Sequence, residues 1–386
     1  MPADNLEARV RARLSDLRAS GLLRTMRPPF GVDLTSNDYL RLSAHPRVTA
    51  AFKAGLEAEG CGSTGSRLLR GERGTFAAVE SRFAEFKGTE RSLYFSSGYL
   101  ANIALLTTLP EAGDVIFSDE LNHASLIDGT RLSRARRVIF PHNRPSDLVR
   151  LIEATDCPGH RFVVVESLFS MDGDEAPLNG YAHICRKYGA SLIVDEAHAV
   201  GVYGARGTGL IEQCGVEVDV VASVNPAGKA LGVGGAFVAG PSWMIEYLVQ
   251  RARPFVFSTA APPAMAHGLA ASLDVVRDEP ERRQRLRKNA AHLRARLRAS
   301  GIDVAAGDSH IISVHIGSNE TALAVAAGLQ AEGFDVRAIR PPTVPEGTAR
   351  LRVSVNVGVS CSMLDQFARL LAFALREAGV CSAVSS

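Results

Sequence analysis

Short apolar runs alternate with helical segments from residue 45 onward, and this alternation narrows the possible folds more than anything else in the chain. The runs fall at 92–95, 115–117, 137–140, 162–166, 191–195, 218–223 and 235–239. They are nearly continuous in apolar residues rather than alternating with polar ones, which is the pattern of strands covered on both faces. With helices between most of them, they predict an α/β fold built on a mostly parallel central sheet. In an open sheet of that kind, ligands gather outside the C-terminal ends of the strands. Two runs deliver reactive groups to that edge. The run 191–195 ends on Asp195, with Glu196 and His198 just beyond. The run 218–223 leads into a loop of small residues that carries Lys229 between Gly228 and Gly232, Gly234 and Gly235.

An acid, a histidine and a lysine at one sheet edge suit pyridoxal phosphate (PLP). The lysine would form a Schiff base and the carboxylate would hold the pyridinium nitrogen. Each residue alone also has an ordinary explanation. Lys229 could be a solvated loop lysine, Asp195 a cap, and His198 a core or surface histidine. The loop lacks the spacing of a Walker A phosphate loop, and Asp195-Glu196-Ala197-His198 has no such partner upstream, so a helicase-type ATPase is excluded. Other groups could complete a PLP site. Ser97, Gly98 and Tyr99 stand between a strand and a helix, where backbone amides bind phosphate. His123 follows a strand and could stack on a ring, or cap a turn. Glu166 and Ser170 follow another strand. Arg340 and Arg352 flank a proline-rich turn and could clamp a carboxylate or pair at the surface. Asn37 lies in a polar turn that it could merely cap.

A chain of 386 residues is long enough for two domains. A helix with Leu6, Val10, Leu14 and Leu17 at helical spacing opens it, followed by an extended segment. Residues 1–45 are expected to pack with a small domain at 279–386, and residues 46–278 to form the large domain. In the small domain the expected order is helix 279–300, strand 311–316, helix 320–332, strand 335–339, strand 350–356 and helix 362–378. Net charge is +2, which gives no overall drive toward nucleic acid. No apolar run approaches the roughly 20 residues of a membrane span. The N-terminus has no apolar signal core, and the six cysteines are scattered without a C-x-x-C pair. These features predict a cytoplasmic protein with reduced thiols and no structural metal.

Nine segments in order resemble the α-oxoamine synthases, a family of fold-type I PLP enzymes. They are TSNDYLRLSAHPRV, GSTGSR, YFSSGYLAN, LNHASLIDG, ESLFSMDGDEAPL, LIVDEAHAVGVYGARGTG, GKALGVGGAFVAG, FSTAAPP and RPPTVPEGTARLR. The last is similar to the biotin-pathway branch of that family. The resemblance implies a PLP-dependent acyltransferase that condenses L-alanine with a pimeloyl thioester, free as the CoA ester or on a carrier, with loss of CO2. Alternatives are glycine with acetyl-CoA, serine with a long acyl-CoA, or a non-catalytic regulatory or scaffold paralogue. It implies that Lys229 carries PLP, Asp195 pairs with the ring nitrogen and His123 stacks on the ring, these three being the catalytic groups. His198 would bond the ring hydroxyl with Ser170 nearby, and Ser97, Gly98 and Tyr99 would surround the phosphate. Thr259 would reach the phosphate of a neighbouring subunit in a homodimer with shared sites. Asn37 and Arg352 would hold the amino-acid carboxylate, and Arg24 and Arg340 the acyl chain or its CoA. The chain departs from the family three residues before the lysine, where a threonine is usual and Pro226 stands. It departs again after Arg352, where a histidine-containing turn is usual and residues 355–360 read VNVGVS.

Overall fold

The computed structural model describes residues 5–305 and 307–380; Cys381 lies outside them. The chain divides into two compact units: residues 37–170 with 174–285, and residues 5–36, 171–173 and 286–380. The boundaries therefore fall at 36/37 and 285/286, not at 45/46 and 278/279, and the second lies inside the helix Glu281–Ala299.

The larger unit holds seven strands: β1 Arg91–Phe95, β2 Val115–Asp119, β3 Arg136–Phe140, β4 Arg161–Glu166, β5 Ala190–Asp195, β6 Val220–Pro226 and β7 Ala236–Gly240. Their spatial order is β1-β7-β6-β5-β4-β2-β3. Pairing is parallel from β6 through β5, β4 and β2 to β3. Only β7 runs against its two neighbours. The central strands contribute Ile116, Phe117, Val163, Val164, Leu192, Ile193, Val194 and Val224, all buried. Burial on both faces explains why their sequences are continuous apolar runs. On the β7 side, Phe83 of the helix Gly74–Lys87 stacks on Phe237 at 4.0 Å between ring centroids.

β6 differs from its predicted span. Residues 217–219 form a 3-10 turn, and the strand runs on to Pro226, which pairs with Ala236. Proline is tolerated there because pairing with β5 has already ended at Val224, so no ladder amide is required of Pro226 on that side.

In the smaller unit, Ile311–Gly317, Ala338–Ile339 and Ala349–Ser354 form an antiparallel sheet, and Val32–Asp33 pairs in parallel with Phe334–Asp335. The strand expected at 335–339 is thus two short pieces. A tight turn, in which Val336 N donates to Phe334 O at 3.0 Å, separates them and sends each to a different sheet. The N-terminal segment belongs to this unit. Arg24 donates to Thr343 Oγ1 at 3.1 Å, Arg340 bonds the carbonyl of Gly21, and Ser354 N donates to Leu34 O at 2.8 Å. The opening helix Leu6–Ala19 forms as expected, but none of its residues is buried.

Candidate functional site

The site lies at the C-terminal ends of β4, β5 and β6, where the sheet leaves its carbonyl edge open and chain reversals bring side chains together. Asp195 ends β5 and is buried. Its Oδ1 accepts from Ala197 N at 2.8 Å and its Oδ2 from Asn102 Nδ2 at 2.7 Å. The ordinary reading of Asp195 as a turn cap is therefore true, yet the cap also fixes a carboxylate at the strand end. Asn102 sits one turn into the helix Gly98–Thr108 and also donates to Ser125 Oγ at 2.9 Å. Ser125 Oγ in turn lies 2.8 Å from His123 Nδ1.

His123 caps the helix Ala124–Leu132, its Nδ1 accepting from Ser125 N at 3.2 Å. Capping uses only the Nδ1 edge of the ring, so it is compatible with stacking. Burial pulls the His123 pKa below its ordinary value; Lys229 adds to this, and Asp195 and Asp128 oppose it. The imidazole is therefore neutral at pH 7, which suits contact with a cationic ring.

Lys229 occupies the turn joining β6 to β7. Its Nζ lies 3.1 Å from His198 Nε2. His198 is buried, and its Nδ1 lies 2.6 Å from the hydroxyl of Tyr39. That hydroxyl donates to Asn37 Oδ1 at 2.9 Å. One proton arrangement satisfies all three contacts: Lys229 donates to Nε2, the Nδ1–H donates to Tyr39, and Tyr39 donates to Asn37.

Glu166 ends β4 directly beside Asp195 in register. Burial and then the charge of Asp195 push its carboxyl up to about 8, against Lys229 and the backbone amides of His123 and Ser170. Ser170 is buried in the excursion after β4. Ser97 caps the helix Gly98–Thr108, its Oγ accepting from Leu100 N at 3.2 Å. The amides of Gly98 and Tyr99 head that helix, the position that favours an anion. Tyr99 is exposed and bonds the carboxylate of Asp128. A Cβ on Gly98 would meet Pro226 Cγ at 2.6 Å, so the proline ring packs against the helix start. Ser223 and Asn225, which precede Pro226 in β6, bond each other, Asn225 Nδ2 donating to Ser223 Oγ at 2.9 Å. Thr259 lies on an exposed loop beside Ser96, Arg67 and Phe255.

The larger unit thus gathers Asn37, His123, Asp195, His198 and Lys229 through continuous hydrogen bonding and close charges. In the smaller unit, Arg352 lies in the strand Ala349–Ser354 with its Nη1 donating to Ser354 Oγ at 2.6 Å, while Arg24 and Arg340 repel each other. Sequence reasoning missed Tyr39, Asn102 and Ser125. Each sits inside a quoted motif, and the spacing from Gly98 to Asn102 is one helical turn, the available signal for an inward side chain. Glu196, grouped with Asp195 on sequence, serves the fold. Its Oε2 pairs with Lys87 Nζ at 2.7 Å and its Oε1 accepts from Leu210 N at 2.8 Å.

This arrangement fits PLP. Two buried carboxyls at neighbouring strand ends include an oxygen, Glu166 Oε1, without a hydrogen-bond partner, and so favour a cationic ring nitrogen. An amine stands at the same edge, and a helix start capped by Ser97 offers its amides to an anion. Among the described residues no group of three His, Cys, Asp or Glu side chains could hold a metal ion. No helix among them is long and apolar enough to cross a membrane.

The family described as aminotransferase class I and II matches residues 31–371. The 8-amino-7-oxononanoate synthase of Anaeromyxobacter dehalogenans is 45% identical over 379 residues, covering 95% of each chain. That of Geobacter sulfurreducens is 42% identical, covering 96% of this chain and 99% of its own. Among solved structures, a Sphingomonas wittichii serine palmitoyltransferase superposes with a TM-score of 0.90 at 33% identity over 98% of both chains. An S. paucimobilis serine palmitoyltransferase with a bound PLP–myriocin aldimine gives 0.91 at 30% identity, over 98% of this chain and all of its own. An 8-amino-7-oxononanoate synthase from Francisella tularensis gives 0.77 at 29%, over 90% of this chain and 98% of its own. The chain belongs to the aminotransferase class I and II family and, within it, to the 8-amino-7-oxononanoate synthases.

Proposed function

We propose that the protein uses PLP to condense L-alanine with a pimeloyl thioester, releasing 8-amino-7-oxononanoate, CO2 and the free thiol for biotin synthesis. The observation that carries this is the placement of Lys229 Nζ 3.1 Å from His198 at the strand edge that also holds Asp195. When bound, PLP supplies an electron sink for the alanine α-carbon. Lys229 would hold its aldehyde carbon, and the lysine amine would move the alanine α-proton. Asp195 holds the ring nitrogen, with Asn102 fixing the carboxylate. His123 covers one ring face. His198 holds the ring hydroxyl with Ser170, and Ser97, Gly98 and Tyr99 hold the phosphate. Asn37 and Arg352 are assigned to the alanine carboxylate, Arg24 and Arg340 to the acyl donor, and Thr259 to the phosphate of a partner subunit in a homodimer. The family resemblance supports these last assignments. The five cysteines among the described residues are free, and the setting is assigned as cytoplasmic.

The superposition on serine palmitoyltransferases favours a second reading, serine with a long acyl-CoA. Full-length identity of 45% to an oxononanoate synthase, against 33% to a palmitoyltransferase, favours alanine. The test is thiol and CO2 release from alanine, glycine and serine, each paired with pimeloyl-CoA, acetyl-CoA and palmitoyl-CoA. Alanine with pimeloyl-CoA should give the highest kcat/KM. Turnover of serine with palmitoyl-CoA and none of alanine would overturn the proposal.

A further inference from the structure

Two acids end adjacent strands at this site, and the function described above uses only one. Glu166 pairs in register with Asp195, and the residue is only 1% exposed. Their surroundings differ. Asp195 accepts two short hydrogen bonds, from Ala197 N at 2.8 Å and Asn102 Nδ2 at 2.7 Å. Glu166 Oε1 has no hydrogen-bond partner. A buried carboxylate oxygen without a donor is costly, whereas a carboxylic acid there is not. Two neighbouring carboxyls in a dry site do not both ionise, and the better-bonded one keeps the charge.

We propose that Glu166 works as an uncharged carboxylic acid, a positioning residue that keeps His123 and the Ser170 turn in place and leaves Asp195 as the single negative charge for the ring nitrogen. The proposal rests on the PLP reading of the site. The backbone amides of His123 and Ser170 both act on the Glu166 carboxyl, which places this side chain next to the ring-stacking residue and to the turn beside the ring hydroxyl. The charged groups acting on it are Asp195, which resists its ionisation, and Lys229, which favours it. Burial outweighs both and pushes the group up to about 8. A bound pyridinium neutralises Asp195 and removes the repulsion, but burial, the larger cause, remains.

The test compares wild type with Glu166→Gln and Asp195→Asn from pH 5 to 9. It reads PLP affinity by fluorescence quenching and folding stability by urea unfolding. A carboxyl raised in the folded state is protonated there while ionised in the unfolded chain. Wild type therefore loses stability as pH rises from about 4.5 toward about 8, and Glu166→Gln does not. The ratio of their unfolding constants should change by up to about tenfold per pH unit in that window. At pH 6, Glu166→Gln should lose no more than about threefold in PLP affinity, while Asp195→Asn loses about a hundredfold. Two results would overturn the proposal: a loss in Glu166→Gln as large as in Asp195→Asn, or a stability difference from wild type that does not change with pH. A wild type that binds no PLP would refute the cofactor reading instead, and the stability profile would still show whether Glu166 is protonated.

Discussion

Replacing Gly98 by alanine places a methyl carbon 2.6 Å from Pro226 Cγ and 3.0 Å from its Cβ. Carbon atoms prefer about 3.5–4.0 Å, so a gap of roughly 1 Å must open. Neither side yields easily. Pro226 is a rigid ring, buried and paired with Ala236 at the end of β6, and Gly98 starts a helix whose Ala101, Ala104 and Leu105 are fully buried. Overpacking of this kind costs about 1–3 kcal/mol. In a unit of this size each kcal/mol lowers Tm by about 2–4 °C. The displaced helix start also carries the amides assigned to the phosphate, so PLP affinity should fall as well. The assay is a double-mutant cycle in Tm and PLP affinity across Gly98→Ala, Pro226→Ala and the pair. Removing Cγ leaves only the 3.0 Å approach to Cβ, so the double variant should recover about 1 kcal/mol relative to the sum of the singles. Strict additivity would refute the claim that the proline ring braces the helix start.

Other consequences follow from the buried polar groups. Lys87→Met strands Glu196 as an unpaired buried charge next to the amides of Leu210 and Ile211, and should cost about 3–5 kcal/mol in chemical unfolding. His142 bridges Asp119 at 2.9 Å and Asp174 at 2.7 Å, and despite partial burial these carboxylates raise its pKa to about 10. Because the folded value exceeds the ordinary 6.5, its contribution is complete below that pH and is lost as pH rises through about 10. The stability gap between wild type and His142→Gln should therefore narrow between pH 6.5 and 10 in a pH series of urea melts. Tyr39→Phe removes the hydroxyl between His198 and Asn37 and with it two hydrogen bonds, at a cost of about 1–3 kcal/mol. It should lower kcat/KM for alanine about tenfold or more in a steady-state assay.

The sheet was legible because burial on both faces writes its strands as apolar runs. The end of β6 was not, because proline argues against a strand wherever an amide must donate, and only the folded register shows that Pro226 stands beyond the last residue paired with β5. The antiparallel direction of β7 was available in principle. Residues 227–235 are too few for a crossover connection, so the strand after Lys229 had to turn back. Asp195, His198 and Lys229 were readable as residues that follow apolar runs. The groups that orient them were not, since Asn102, Ser125 and Tyr39 come from separate segments and meet only through folding. The acid pair at 195–196 shows the opposite limit. Neighbours in sequence part company, Asp195 toward the site and Glu196 toward Lys87, because the chain turns directly after the strand.

The most direct check on the account is to reduce the PLP-loaded protein with borohydride, digest it and locate the pyridoxyl group by mass spectrometry. A single modified residue, Lys229, with no label in Lys229→Ala, is the predicted result. A label on any other lysine, or none after reconstitution with PLP, would contradict it.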